Sequence, residues 1–215
     1  MGLKLIVFDL DGTLIDSIED IAASLNHAIA TVGLKALNSS AVVSLVGEGV
    51  GKLVERAIGS GLLHKKESVL KTFLSHYETH MLDNTRAFDT VEETLSALSS
   101  FNMVVVSNKT EAMSKLVIDR LNMSKHFRYV FGHDSFVKCK PSPMPVLKAM
   151  ELCGTTQSET IVVGDSSFDI EAGKRAGTKT VAAAYGYRSI ETLTAADYII
   201  KERLIELLPI VKSLS

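Results

Sequence analysis

Two hydrophobic periods alternate along this chain. Short runs that are apolar at nearly every position occur at Lys4–Leu10 (K-L-I-V-F-D-L), Asn102–Ser107 (N-M-V-V-V-S) and Thr160–Gly164 (T-I-V-V-G). Lys179–Ala184 and Asp197–Ile200 are weaker versions, and Tyr129–Phe131 adds another short strand signal. Runs of this kind predict strands covered on both faces, as in a parallel sheet. Between them apolar residues return at helical spacing: Val91, Leu95 and Leu98; Met113, Leu116, Val117 and Leu121; Val146, Leu147 and Met150. The alternation predicts an α/β core running from about Leu82 to the C-terminus, together with the first strand.

The stretch between is different. Ile18, Ile21, Ala22, Leu25, Ile29 and Val32 form a helical stripe closed by Gly33. Val42, Val46, Leu53, Val54, Ala57 and Ile58 continue in helical style, with an interruption around Gly47–Gly51. Leu70, Phe73, Leu74 and Tyr77 make a third apolar face. With no strand signal between the first strand and about residue 82, this segment reads as an all-helical insertion into the core.

Two pairs of polar signals stand where predicted strands end. Asp9 and Asp11 follow the first strand in Asp9-Leu10-Asp11-Gly12-Thr13-Leu14, and Asp165, Ser166, Ser167 and Asp169 follow T-I-V-V-G. In an open parallel sheet ligands collect beyond the C-terminal strand ends, so these carboxylates could converge on one hard cation, with Mg²⁺ favoured by oxygen donors. Ser107-Asn108 follows N-M-V-V-V and suits a phosphate oxygen, while Pro141 and Pro143 restrain the backbone around Lys140. Each feature also has an ordinary account: a solvated acidic turn, a helix N-cap, a turn lysine. Together they form a phosphoryl-transfer constellation without a glycine-rich Walker loop.

Composition narrows the choice further. Twenty-three basic against twenty-five acidic residues leave a formal charge of −2, which gives no support for a nucleic-acid or anionic-membrane partner. Cys139 and Cys153 are too few and too far apart for a disulfide framework, so reduced thiols and a cytoplasmic location are expected. His76 and His80 stand four apart in a predicted helix without the intervening acid of an H-E-x-x-H motif, and a solvated helix face is the better account.

The motifs resemble those of the haloacid dehalogenase superfamily, and within it the phosphoglycolate phosphatase-like members. Phe8-Asp9-Leu10-Asp11-Gly12-Thr13-Leu14-Ile15-Asp16-Ser17 is similar to that family's first motif, Ser107-Asn108 to the second, Lys140-Pro141 to the third and Gly164-Asp165-Ser166-Ser167-Phe168-Asp169 to the fourth. The resemblance implies a Rossmann-like core, residues 1–14 and 82–215, with a helical cap at 15–81. It implies Asp9 as nucleophile, Asp11 as acid and base, and Ser107 and Lys140 on the transferring phosphoryl group. Mg²⁺ would be held by Asp9, the main chain of Asp11 and Asp165, with Asp169 and Ser166 behind them.

Thr13 and Asn108 are expected at the substrate phosphate, and Gly49 and Lys52 of the cap at its carboxylate. The expected reaction is Mg²⁺-dependent hydrolysis of a small phosphomonoester, 2-phosphoglycolate first, by a monomer or loose homodimer. Sugar-phosphate phosphatase, pyrophosphatase, phosphonatase and β-phosphoglucomutase activities belong to the same scaffold, and a phosphoester-binding protein without catalysis is the reading from outside enzymology.

Overall fold

The computed structural model describes residues 2–215. The chain forms two compact units: the residues up to Asp16 with Ala87–Ser215, and the continuous segment Ser17–Arg86.

The first unit is built on a six-stranded parallel sheet. Its strands are β1 (Leu5–Phe8), β2 (Asn102–Val106), β3 (Tyr129–Phe131), β4 (Thr160–Gly164), β5 (Lys179–Ala183) and β6 (Tyr198–Ile200). In space they run β3-β2-β1-β4-β5-β6, every neighbouring pair parallel. Each apolar run that predicted a strand forms one. The central strand shows why: all four residues of β1 are buried, because side chains alternate between two faces and both are covered. On one face Leu5, Val7, Val104, Val106 and Val162 pack against Val146, Ala149 and Met150 of one helix and Ala172 and Ala176 of another. Val146 and Met150 follow the predicted stripe, whereas Leu147 lies 41% exposed.

Order and register together position the strand ends. β1 lies between β2 and β4, with Phe8 level with Val105 on one side and Val163 on the other. The first residues beyond the ends of the three strands (Asp9, Ser107 and Asp165) therefore emerge at the same edge of the sheet. Here the strand order reverses direction, the place where open α/β sheets bind ligands.

The second unit is helical: α1 (Ile18–Ala30), α2 (Ser39–Leu45), α3 (Val50–Ile58) and α4 (Lys66–His80). The predicted glycine interruption separates α2 from α3, and both Gly47 and Gly49 have positive φ. On α4 the buried stripe is Val69, Phe73 and Tyr77, so Leu70 and Leu74 flank the packed face instead of leading it. α1 and α4 form the most extensive helix pair.

Asp20, in the first turn of α1, ties that helix to the far end of the unit. It is 1% exposed. Its carboxylate accepts from the Asn84 and Thr85 backbone N–H groups at 3.0 and 2.8 Å, the Asn84 side-chain amide at 2.9 Å and the Thr85 hydroxyl at 2.7 Å. Burial opposes the charge, but the bonds from Thr85 and Asn84 outweigh it and hold the carboxyl below its ordinary range. A depressed folded value means that the stabilisation is present above the unfolded pKa of about 3.9 and is lost as pH falls through the folded one. Asp20→Asn is therefore expected to cost about 2 kcal/mol at pH 6 in urea unfolding. Its gap to the wild type should narrow as the pH is lowered below 4; a gap independent of pH would contradict the assignment.

Candidate active site

The carboxylate end of β1 gathers three acids around one cation. Asp9 leaves the sheet while its N–H still donates to Val163 O at 2.8 Å, so the last rung of the ladder fixes its backbone. Lys140, 4% exposed, donates to Asp9 Oδ1, to Asp169 Oδ1 and to the Val106 carbonyl, each at 2.6 Å. The turn lysine of the sequence is thus a buried ammonium joining three segments. The Asn108 side-chain amide donates to the Lys140 carbonyl at 3.0 Å and steadies that loop.

Asp169 belongs to α8 (Ser167–Ala176), following α5 (Val91–Ala97), α6 (Glu111–Arg120) and α7 (Met144–Cys153) in the chain. Its second oxygen accepts from the Ser166 N–H at 3.1 Å and from the Ser166 hydroxyl at 2.6 Å, a helix-start pairing that fixes the carboxylate. Asp165, immediately after β4, accepts from the Tyr187 N–H at 2.8 Å.

Two glycines make the close packing possible. Gly12 has φ +88°, and a side chain there would run into the Asp165 carboxylate. A side chain at Gly186 would meet the Gly12 carbonyl and Asp165. The Tyr185-Gly186-Tyr187 loop lies against the acidic loop. The Tyr185 hydroxyl donates to Thr13 O at 2.7 Å, and the Tyr187 hydroxyl reaches Asp16 at 3.3 Å.

Oxygen atoms of Asp9, Asp165 and Asp169 lie within 4.8 Å of one another. Three carboxylates thus face the single Lys140 ammonium, leaving two negative charges uncompensated when all are ionised. Burial, then repulsion from Asp169, pushes Asp9 up to about 7 against the pull of Lys140. Burial and the charges of Asp9 and Asp169 raise Asp165 as well. Burial works against the Lys140 charge, yet Asp169 and Asp9 hold it above the usual lysine range. Two surplus charges on oxygen donors alone fit a hard divalent cation. Asp169 already has both oxygens engaged by Lys140 and Ser166, which leaves Asp9 and Asp165 the better placed to bind it.

Asp11 stands apart from that cluster and pairs with Lys109 at 2.9 Å, both side chains mostly buried. The sequence reading passes over Lys109, although its place directly after Ser107-Asn108, in the loop beyond β2, was the available signal. Ser107 is 3% exposed and its hydroxyl accepts from the Lys109 N–H at 3.1 Å. The Thr13 hydroxyl is fully buried without a hydrogen-bond partner among the described residues. Gly49 and Lys52 lie in the helical unit, where Lys52 pairs with Glu55 at 2.8 Å and Arg56 pairs with Glu48. No described helix is long and apolar enough to cross a membrane.

Known proteins resemble this chain over most of its length. Residues 6–183 match the family model of haloacid dehalogenase-like hydrolases. The phosphoglycolate phosphatase of Aquifex aeolicus is 42% identical over 187 residues, 86% of each chain. That of Neisseria gonorrhoeae is 33% identical over 214 residues, 96% of this chain and 91% of its own. Among solved structures, a predicted phosphoglycolate phosphatase from Haemophilus somnus 129PT superposes with a TM-score of 0.90 at 28% identity, covering 98% of both chains. With the acidic cluster at the head of its central strand and these relatives spanning most of its length, the chain belongs to the haloacid dehalogenase-like hydrolases, as a phosphatase of the phosphoglycolate phosphatase-like kind.

Proposed function

We propose that the protein hydrolyses 2-phosphoglycolate in a Mg²⁺-dependent reaction through an aspartyl-phosphate on Asp9. The observation that carries the reading is the Asp9 carboxylate, fixed at the end of the central strand by Lys140 and crowded by Asp165 and Asp169. The names of the relatives from Aquifex aeolicus and Neisseria gonorrhoeae support the choice of substrate.

An Asp9 oxygen attacks phosphorus and the ester P–O bond breaks, its electron pair leaving with the alkoxide, which takes a proton from Asp11. Asp11 then removes a proton from water. The water oxygen attacks the same phosphorus, the bond to Asp9 breaks, and inorganic phosphate leaves with the Asp9 carboxylate restored. Asp9, the Asp11 carbonyl and Asp165 would hold Mg²⁺, which would supply positive charge to offset repulsion between the carboxylate and the phosphate dianion. Lys140 orients Asp9, and its ammonium, together with the Ser107 hydroxyl and the Asn108 amide, stabilises the transferring oxygens. Thr13 is assigned to the substrate phosphate, a reading supported by its hydroxyl, which has no hydrogen-bond partner among the described residues. Lys109 pairs with Asp11 whenever that carboxylate is ionised, as it must be to take the proton from water. Ser17–Arg86 acts as a cap, with Gly49 and Lys52 receiving the substrate carboxylate.

Asp9→Asn is expected to lower kcat by at least about 10⁴-fold, as loss of a covalent nucleophile does elsewhere. Phosphate release from 2-phosphoglycolate and a panel of sugar phosphates checks both points: full turnover by the variant removes the nucleophile assignment, and a sugar-phosphate preference removes the substrate. Chelation should abolish turnover, and Mg²⁺ should restore it. Without substrate, Mg²⁺ at a hundredfold excess over Kd should add about 2.7 kcal/mol of stability. Thermal melts should show that gain in the wild type and its loss in Asp165→Asn.

A further inference from the structure

The loop beyond β2 carries a buried cation to which the catalytic steps give no contact with the substrate. The Lys109 side chain is 7% exposed, and its ammonium meets Asp11 at 2.9 Å. Its backbone is held on both sides: the N–H donates to the Ser107 hydroxyl at 3.1 Å, and the carbonyl accepts from the His133 N–H at 2.9 Å. His133 lies in the loop beyond β3, which is pressed onto the start of α6. There the Glu111 N–H donates to Asp134 Oδ1 at 2.7 Å, and a side chain at Gly132 would strike the Glu111 backbone. Neighbouring loops thus fix where the Lys109 side chain begins and limit how far its ammonium can reach.

We propose that Lys109 receives the substrate's carboxylate in the catalytic unit and selects esters whose carboxylate stands one carbon from the ester oxygen. This rests on the reading of the site as a phosphatase acting on 2-phosphoglycolate at Asp9. In that reading the ester oxygen comes within hydrogen-bond reach of Asp11, which gives it a proton. A single CH₂ group joins that oxygen to the carboxylate of 2-phosphoglycolate, so the carboxylate arrives beside Asp11 as well. Two carboxylates brought so close repel each other, and a cation between them removes the repulsion. Lys109 is the cation at that place.

An ammonium has three N–H donors and can hold two carboxylates at once. Lys140 does so in the same site, with Asp9 and Asp169 each at 2.6 Å. The cations of the helical unit are of another kind. Lys52 and Arg56 are exposed, and each pairs with a glutamate of its own unit. Solvent screens such charges, so they separate a charged ester from a neutral one weakly. A buried ammonium acts in a lower dielectric, where the same difference in charge counts for more. Lys52 can add to the attraction, but discrimination falls to Lys109. Because its backbone is fixed, a longer arm between ester oxygen and carboxylate carries the charge past it.

The test measures kcat/KM of the whole chain in saturating Mg²⁺ on three esters. These are 2-phosphoglycolate, ethyl phosphate (a methyl group in place of the carboxylate) and 3-phosphooxypropionate (one CH₂ longer). The wild type is expected to favour 2-phosphoglycolate over both. Lys109→Met should lower the ratio of 2-phosphoglycolate to ethyl phosphate at least about 10-fold, the worth of one hydrogen bond to a charged group. Lys109→Arg should keep more of it. A lysine that only positioned Asp11 would slow both esters alike and leave the ratio unmoved. Turnover of ethyl phosphate shows that a variant has folded, and Lys109→Gln, with the same expectation, replaces a Lys109→Met that does not. The inference is overturned, with the phosphatase reading intact, by an unchanged ratio in the Lys109 variant or by a wild type indifferent to the added CH₂. A ratio that falls in Lys52→Met but not in Lys109→Met overturns it too. A wild type that prefers sugar phosphates to 2-phosphoglycolate overturns both this inference and the substrate reading beneath it.

Discussion

The ammonium of Lys140 sits where the ends of β1 and β2 meet the start of α8, and the rest of the catalytic unit is arranged around it. Its three hydrogen bonds go to a side chain after β1, a backbone carbonyl at the end of β2 and a side chain in the first turn of α8. Removing such a cation would strand two buried carboxylates, a loss on the order of 3–5 kcal/mol. Its net contribution to stability is smaller, because the ammonium was itself taken out of water. What the group provides is position: it sets the distance between the two acids and fixes which Asp9 oxygen is turned inward. One ammonium cannot neutralise three carboxylates, so the site retains an appetite for a dication that an apolar or fully paired core would lack.

Local pattern carried much of the architecture. The parallel strands were legible because a strand buried on both faces must be apolar at successive positions, as Leu5–Phe8 and Thr160–Gly164 are. The acids at the head of β1 and β4 were legible because charge directly after such a run has few places to go except the sheet edge. Amphipathic faces were read less well where several apolar residues competed. On α4 the packed residues are Val69, Phe73 and Tyr77, a choice made by the partner helix and invisible in α4 alone.

Long-range polar pairings were least legible. Lys109 and Asp11 are brought together only by the β1–β2 pairing, and Asp20 meets Asn84 and Thr85 across the whole helical segment. His27 finds His76 through helix packing. None of these partners leaves a periodic signature, since a hydrogen bond needs one atom in the right place and no repeating spacing. The glycine at position 186 is similar: it sits in an unremarkable loop, and its reason is the Gly12 carbonyl pressed against it from the other end of the chain.

The strand order also governs how the molecule can be made. β1 finds its partners only at Asn102 and Thr160, so the apolar L-I-V-F segment is synthesised long before anything exists to pair with it. At ordinary translation speeds the wait for β2 is roughly 5–20 s. During that interval the helical segment can emerge and begin to fold while the nascent first strand stays exposed to chaperones and to strands of neighbouring chains. Asp9, the proposed nucleophile, is made well before its surroundings, which are completed only when α8 has followed.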